Sequence, residues 1–327
     1  MIITRTPLRL SIGGGGTDLP SYYQEFGGFV ISAAINKYAY VSANRSFFPG
    51  YILKYSEMEV VQDRAQIRHR LIREALNVYD IHGPIEIVSI ADVPAGTGLG
   101  SSGTFLVGLI HALHAFSRNP VGPEALAREA VEIEMNRLQE PVGKQDQYIA
   151  AYGGLLCQEY HQDGSVQVYS LRMTEGAIQE LRDSLMLFFI GTTRSASSIL
   201  NDQKSRSEQR DAEMIEGLHF IKELGREIQA VLEAGDIVRF GELMHEHWLR
   251  KRGRSKGICN STIDDLYELG RSQGGAIGGK LVGAGGGGFL LFSAPDRPKL
   301  RRVMAQAGIA EMDFTFDFDG SVVLARS

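Results

Sequence analysis

Pro94-Ala-Gly-Thr-Gly-Leu-Gly-Ser-Ser-Gly103 lies between a short apolar run, Ile85 to Ile90, and a long apolar segment, Ser102 to Phe116. The first run has the length and bounds of a strand. The second carries Phe105, Leu106, Val107, Leu109, Ile110, Leu113 and Phe116, apolar almost all round, which predicts a buried helix. A glycine-rich turn from strand to helix lets several backbone N–H groups point at one place, and the helix adds the positive end of its dipole. Ser101 or Ser102 stands where a capping hydroxyl belongs. That chemistry suits an anion such as a nucleotide polyphosphate. A tight turn with no ligand is the plainer alternative, and the loop alone leaves it open.

Better-known phosphate motifs fail on context. Gly98-Leu-Gly-Ser-Ser-Gly103 is a literal G-x-G-x-x-G. A dinucleotide-binding unit would return from its helix to a second strand ending in an acidic residue. Here a second helical pattern follows instead, Pro123 to Leu138, with Leu126, Ala130 and Ile133 on one face. The Val-Ala-Ile-Lys strand and His-Arg-Asp loop of protein kinases are absent. Gly274 to Lys280 has P-loop spacing, but Leu281 occupies the place of the metal-binding Ser or Thr.

Outward from the loop, residues 1 to about 170 read as mixed strands and helices, with strands at Leu8 to Ile12, Phe29 to Ile35, Tyr38 to Ala43, Ile52 to Tyr55 and Ile85 to Ile90. Ile67, Leu71, Ala75 and Val78 predict a helix over Asp63 to Tyr79. A polar stretch at 172–184 precedes the strand-like Leu185 to Ile190, which places a domain boundary at 178/179. Beyond it come long helices, Ala196 to Ala234 with an interruption, Ile237 to Lys251 and Ser261 to Ser272, then an apolar, glycine-rich segment over Lys280 to Phe292, and a terminal helix and strand. The 38 glycines of the 327 residues exceed the usual share of roughly 7%. Many gather at 13–16, 96–103 and 283–288, which marks places where backbone or ligand approaches closely.

Bulk properties exclude several classes. No stretch approaches the roughly 18 apolar residues of a membrane span. The first ten residues lack the order of a secretory signal, so a cytoplasmic location is expected, with Cys157 and Cys259 as free thiols. A net charge of −5 gives no reason to expect nucleic acid or an anionic membrane, the basic run Arg250 to Lys256 excepted. Homo-oligomerisation is left open. His245 and His247, two apart on a predicted helix, face different ways and make a poor pair of metal ligands, and Trp248 reads as packing.

Three segments together resemble the GHMP kinases, the family of galactokinase, homoserine kinase, mevalonate kinase and phosphomevalonate kinase. They are Pro94 to Gly103, Pro7-Leu-Arg-Leu-Ser-Ile-Gly-Gly-Gly-Gly-Thr-Asp18, and Lys280 to Gly288, and the likeness runs over nearly the whole chain. The form of the first motif is most similar to the sugar kinases that act on D-glycero-D-manno-heptose 7-phosphate, with fucokinases close behind. Galactokinases usually have Gly-Glu-His-Thr-Asp where this chain has Gly14 to Asp18.

The resemblance implies an α+β protein of two domains, residues 1–178 similar to ribosomal-protein-S5 domain 2 and residues 179–327 ferredoxin-like. It implies an ATP-dependent, Mg²⁺-assisted transfer to a small sugar or sugar phosphate, most closely to the anomeric hydroxyl of the heptose 7-phosphate. A kinase for fucose or another free sugar, and a catalytically silent sugar and ATP sensor, are the alternatives. The nucleotide loop is then Pro94, Ala95, Gly96, Gly98, Leu99, Gly100, Ser101, Ser102 and Gly103. Ser102 and Glu134, twelve residues before Asp146, become the metal-binding pair, although Glu134 by itself reads as an exposed helix charge. Asp146, in Gly143-Lys-Gln-Asp-Gln-Tyr148, becomes the base or orienting acceptor for the attacking hydroxyl. Arg9 beside it would keep it ionised. Gly14, Gly15, Gly16, Thr17 and Asp18 become sugar contacts, because a carboxylate can accept from two neighbouring hydroxyls. Thr193 and Arg194, with Lys251, Arg252 or Arg254, are candidates for a phosphate already on the substrate.

Overall fold

The computed structural model describes residues 1–191, 196–254 and 258–326, with side chains at all of them except 196–198, 253 and 254. Thr193 and Arg194 lie outside the described residues.

The first strand, β1 (Ile2–Gly13), explains how the site is placed. Leu8, Leu10 and Ile12 alternate with Arg9 and Ser11, and a strand turns successive side chains to opposite faces. The three apolar side chains are wholly buried, while Arg9 and Ser11 face a cleft. β1 pairs antiparallel with β2 (Gly28–Arg45), one long strand where the sequence suggested two. Asn36 does not break it, because its N–H and side chain both bond to Thr315. After α1 (Pro20–Phe26) and β2 come β3 (Tyr51–Lys54), β4 (Met58–Val61), α2 (Arg70–Val78) and β5 (Ile85–Ala91). The helix expected from Asp63 begins only at Arg70, since Asp63 caps a separate 3₁₀ turn and His69 caps α2.

The phosphate-loop candidate leads into α3 (Ser101–Phe116), followed by α4 (Pro123–Val131), α5 (Gln145–Tyr152), β6 (Leu155–Tyr160) and β7 (Val166–Ser170). The first sheet runs β12-β1-β2-β5-β3-β4, with β6 on β2 and β7 on β6. Its last member, β12 (Val322–Arg326), comes from the end of the chain and pairs with β1. The polar stretch at 172–184 is largely a helix, α6 (Glu175–Ser184), capped by Thr174, rather than a linker.

The second sheet, β11-β8-β10-β9, is antiparallel and starts at β8 (Leu185–Phe189). Between β8 and β9 (Gly278–Leu281) the chain forms α7 (Ala196–Glu208), α8 (Ala212–Glu233), α9 (Ile237–Arg254) and α10 (Ser261–Ser272). β10 (Phe289–Ser293), α11 (Arg297–Gln306) and β11 (Ala310–Met312) complete it. Leu8, Leu10, Ile12, Phe29 and Ile31 of the first sheet share one core with Leu187 and Leu291 of the second and with Leu224 and Ile228 of α8. The second sheet's other face is covered separately, around Trp248, Tyr267 and Phe292.

Candidate active site

α3 starts at Ser101, and its cap is Gly100 in the left-handed region at φ 77°, with no capping hydroxyl. A side chain at Gly100 would meet Arg9 Cγ at 3.1 Å and Asp146 Cγ at 3.2 Å, so glycine serves both the turn and the close approach. The serine expected as a cap is used elsewhere. Ser102 Oγ donates to Glu134 Oε1 at 2.5 Å. Leu99 is the loop's anchor, wholly buried in the shared core, while Pro94, Ala95 and Gly96 are exposed. The third glycine cluster packs on this loop, with Gly283 against Gly98 and Gly288 against the Thr97 carbonyl.

Glu134 is 2% exposed, so it is not the solvated helix charge that its sequence neighbours suggest. The reason is local. The expected helix to Leu138 changes at Glu132 into a π-helical turn, Glu132–Arg137, which shifts the direction of the side chains that follow. Gln147 Nε2 donates to the second oxygen of Glu134 at 2.7 Å. Burial pushes the Glu134 carboxyl above the usual carboxylate range; hydrogen bonds from Ser102 and Gln147 oppose this, and the charges of Asp146 and Glu140 reinforce it.

Asp146 sits in the first turn of α5 and is gripped by Arg9, with Nε to Oδ1 at 2.7 Å and Nη2 to Oδ2 at 3.0 Å. Such a two-point pairing fixes the carboxylate plane as well as its position. Arg9 Nη1 also donates to the Gly98 carbonyl, and the Arg9 N–H donates to the Leu99 carbonyl at 3.0 Å. One strand therefore holds both the candidate base and the phosphate loop.

Asp18 is 2% exposed and lines the same cleft as Arg9, Asp146 and Ser102. It accepts from the N–H groups of Gly16 at 3.1 Å and Gln145 at 3.2 Å. Burial and the neighbouring Asp146 charge raise its pKa against those bonds. Gly15 and Gly16 also line the cleft. Thr17 does not: it is wholly buried, its hydroxyl donating to Gly14 and Phe29 carbonyls and accepting from the Phe29 N–H. Gly14 and Thr17 thus build the sugar-loop candidate rather than face the cleft.

The opposite wall comes from the second half of the chain. Gln203 of α7, 2% exposed, donates to the Gly16 carbonyl at 2.8 Å. His247 and Lys251 of α9 and Lys280 of β9 are buried and line the cleft. Arg252 points away to Asp264 at 3.1 Å. His245 leaves on another face, bonded to Tyr267 and Arg271. Gln147, Gln203, His247 and Lys280 were not among the residues the sequence suggested. The four-residue spacing of His247 and Lys251 was a usable signal, hidden by reading His247 with His245 as a ligand pair.

Residues 65–154 match the GHMP kinases' N-terminal domain and residues 228–310 their C-terminal domain, together more than half of the sequence. The chain belongs to the GHMP kinases, ATP-dependent enzymes that phosphorylate a hydroxyl group. Within that family it is 28% identical to the D-glycero-alpha-D-manno-heptose 7-phosphate kinase of Campylobacter jejuni, over 98% of this chain and 97% of that one. The crystal structure of a D-glycero-D-manno-heptose 1-phosphate kinase from Bacteroides thetaiotaomicron superposes with a TM-score of 0.82 at 27% identity, covering 100% of both chains. The bifunctional fucokinase/GDP-fucose pyrophosphorylase of Arabidopsis thaliana is 27% identical over 91% of this chain, which spans only 30% of that protein.

Proposed function

We propose that this protein transfers the γ-phosphate of ATP to the anomeric hydroxyl of D-glycero-D-manno-heptose 7-phosphate, for nucleotide-heptose and surface-polysaccharide synthesis. The observation that carries the reading is the Arg9–Asp146 pair, set in one cleft with the start of α3 on one side and the Asp18 loop on the other. The relatives' names supply the sugar. One names a 7-phosphate and the other a 1-phosphate, and the acceptor proposed here is the sugar already phosphorylated at position 7.

In this reading the loop from Pro94 to Gly103 holds the nucleotide phosphates through backbone N–H groups at the head of α3. Asp18 accepts hydrogen bonds from sugar hydroxyls, and Gly15 and Gly16 let the ring lie against backbone. The anomeric oxygen attacks the γ-phosphorus as the bond to the ADP oxygen breaks, and its proton passes to an Asp146 carboxylate oxygen. Arg9 keeps that carboxylate aimed and brings positive charge beside the transferred group.

Mg²⁺ fits the Ser102–Glu134 pair. Both supply hard oxygen atoms, already 2.5 Å apart, and a buried carboxylate gains from a cation beside it. Among the described residues no group of three or more His, Cys, Asp or Glu forms a complete metal cage. That agrees with an ion that takes one or two protein ligands and completes its shell with phosphates and water. Bound there, Mg²⁺ would neutralise charge on the nucleotide phosphates.

The test is ADP release by the purified protein with heptose 7-phosphate, heptose 1-phosphate, fucose, galactose and mannose, with the product's phosphorus positions read by NMR. Turnover of heptose 7-phosphate to a 1,7-bisphosphate is expected. Efficient turnover confined to an unphosphorylated sugar would replace this reading with the fucokinase-like one that the Arabidopsis relative favours.

A further inference from the structure

β1 presents two polar side chains to the cleft, Arg9 and Ser11, and only Arg9 has a part in the transfer step. Ser11 lies two residues on, hence on the same strand face. It is 6% exposed, and among the described residues its Oγ has no hydrogen-bond partner. Ser32, directly opposite on β2, does not take it up, since the Ser32 hydroxyl is buried and unpartnered too. Gln145 gives the cleft a second such atom. Its N–H holds Asp18, and its Nε2 lies 3.5 Å from Asp18 Oδ1, but its Oε1 is buried without a partner among the described residues.

Gly15 keeps the Ser11 hydroxyl uncovered. Gly14 and Gly16 stand at φ 74° and 101°, where the turn itself favours glycine, whereas Gly15 is outside that region. A Cβ at Gly15 would come within 2.9 Å of Ser11 Oγ, so the missing side chain leaves that hydroxyl open to the cleft. Buried polar atoms without partners carry a cost that a ligand hydroxyl recovers. A sugar hydroxyl both donates and accepts. The Asp18 carboxylate and Gln145 Oε1 accept only, and Ser11 Oγ can do either, so the three together suit neighbouring hydroxyls. None of them is a cation, so the group they fit is the neutral polyol part of the substrate rather than its phosphate.

We propose that Ser11 and Gln145 are specificity-determining residues, each hydrogen-bonding a hydroxyl of the sugar beside Asp18, so that a sugar lacking that hydroxyl leaves a buried polar atom unpaired and is rejected. This rests on the heptose 7-phosphate reading above.

Steady-state kinetics of wild type, Ser11→Ala and Gln145→Met test it, on heptose 7-phosphate and on its single-deoxy forms lacking the hydroxyl at carbon 2, 3, 4 or 6. Each variant should lower kcat/KM for heptose 7-phosphate about 5- to 100-fold, with the KM for ATP within about threefold of wild type. For each variant the loss should vanish on one deoxy sugar, the one without the hydroxyl that the residue touches, because there the wild type is penalised equally. Without sugar, Ser11→Ala should melt at or above the wild-type temperature, since it removes a buried hydroxyl that has no partner. Heptose 7-phosphate should then raise its melting temperature less than it raises that of the wild type. Unchanged kcat/KM in both variants, losses of the same size on every deoxy form, or a Ser11→Ala protein that melts lower without sugar would make these packing residues and overturn the proposal, leaving the heptose 7-phosphate reading intact. A wild-type enzyme that does not phosphorylate heptose 7-phosphate overturns both.

Discussion

At the scale of single residues, the site combines two carboxylates in opposite electrostatic settings. Asp146 is paired on both oxygens by Arg9, whereas Glu134 accepts from the neutral donors Ser102 and Gln147. If Arg9 and Asp146 act as one unit, Asp146→Asn should lower kcat by about 10²- to 10⁴-fold, the range for a positioned base. Arg9→Met should lose much of the same factor, and the double variant should be little worse than the worse single one. Multiplying losses in the double variant would mean that the two residues act independently. Glu134 gives a pH prediction. Its pKa is raised by burial, so its contribution favours the folded state at acid pH, below the ordinary carboxylate value, and is lost as pH rises through the raised one. With EDTA and no nucleotide, Glu134→Gln should therefore melt higher than wild type at pH 7 to 8, the gap closing toward about pH 4. Adding Mg²⁺ and ATP should raise the wild-type melting temperature and leave the variant's nearly unchanged. A wild type that already outlasts Glu134→Gln at neutral pH in EDTA would show that the buried charge is compensated by the protein alone.

At the scale of elements, the turn before α5 links sugar and catalytic positions, because Gln145, whose N–H holds Asp18, directly precedes Asp146. Gly143 in that turn packs so closely on Asp18 that a Cβ there would overlap its carboxylate. Gly143→Ala should raise the KM for the sugar several-fold or more and lower kcat, with the KM for ATP little changed. A uniform loss of folded protein, seen as a lower melting temperature with normal kinetics in what remains, would argue against a positioning role. Such elements differ in how readable they are from sequence. The alternation Leu8-Arg9-Leu10-Ser11-Ile12 declares a strand with Arg9 on the face opposite the core, and the burial agrees. The largely apolar Ser102–Phe116 run likewise declares a buried helix, displaced by one residue at its start because Gly100, not a serine, makes the turn. The π turn at Glu132–Arg137 was not readable, since residue periodicity assumes a regular helix, and so the burial of Glu134 was missed. The place of Lys280 in the second wall was unreadable for another reason. Lys280 and Ile12 are 268 residues apart, and only the packing of two sheets brings them together.

At the scale of the whole molecule, the two walls of the cleft share a core. α8 lies against both β1 and β2 of the first sheet, and Ile228 meets Gly13 at the end of β1, where the sugar loop begins. The chain's last strand returns to pair with β1, so the N-terminal part is completed by residues beyond 321 and a cut at 178/179 would leave it without an edge. A protein joined in this way should unfold as one unit rather than as two domains. The single tryptophan, Trp248, lies in the second sheet's outer core, so its fluorescence follows that half of the molecule while far-ultraviolet circular dichroism follows the whole. The two signals should give one coincident urea transition. Ile228→Ala, which empties part of the shared core, should lower stability by about 2–5 kcal/mol and shift both signals together. If the variant instead separates the transitions, with Trp248 reporting a later one, the shared core is a contact between two independently stable domains, and the walls of the cleft are held by loops rather than by packing.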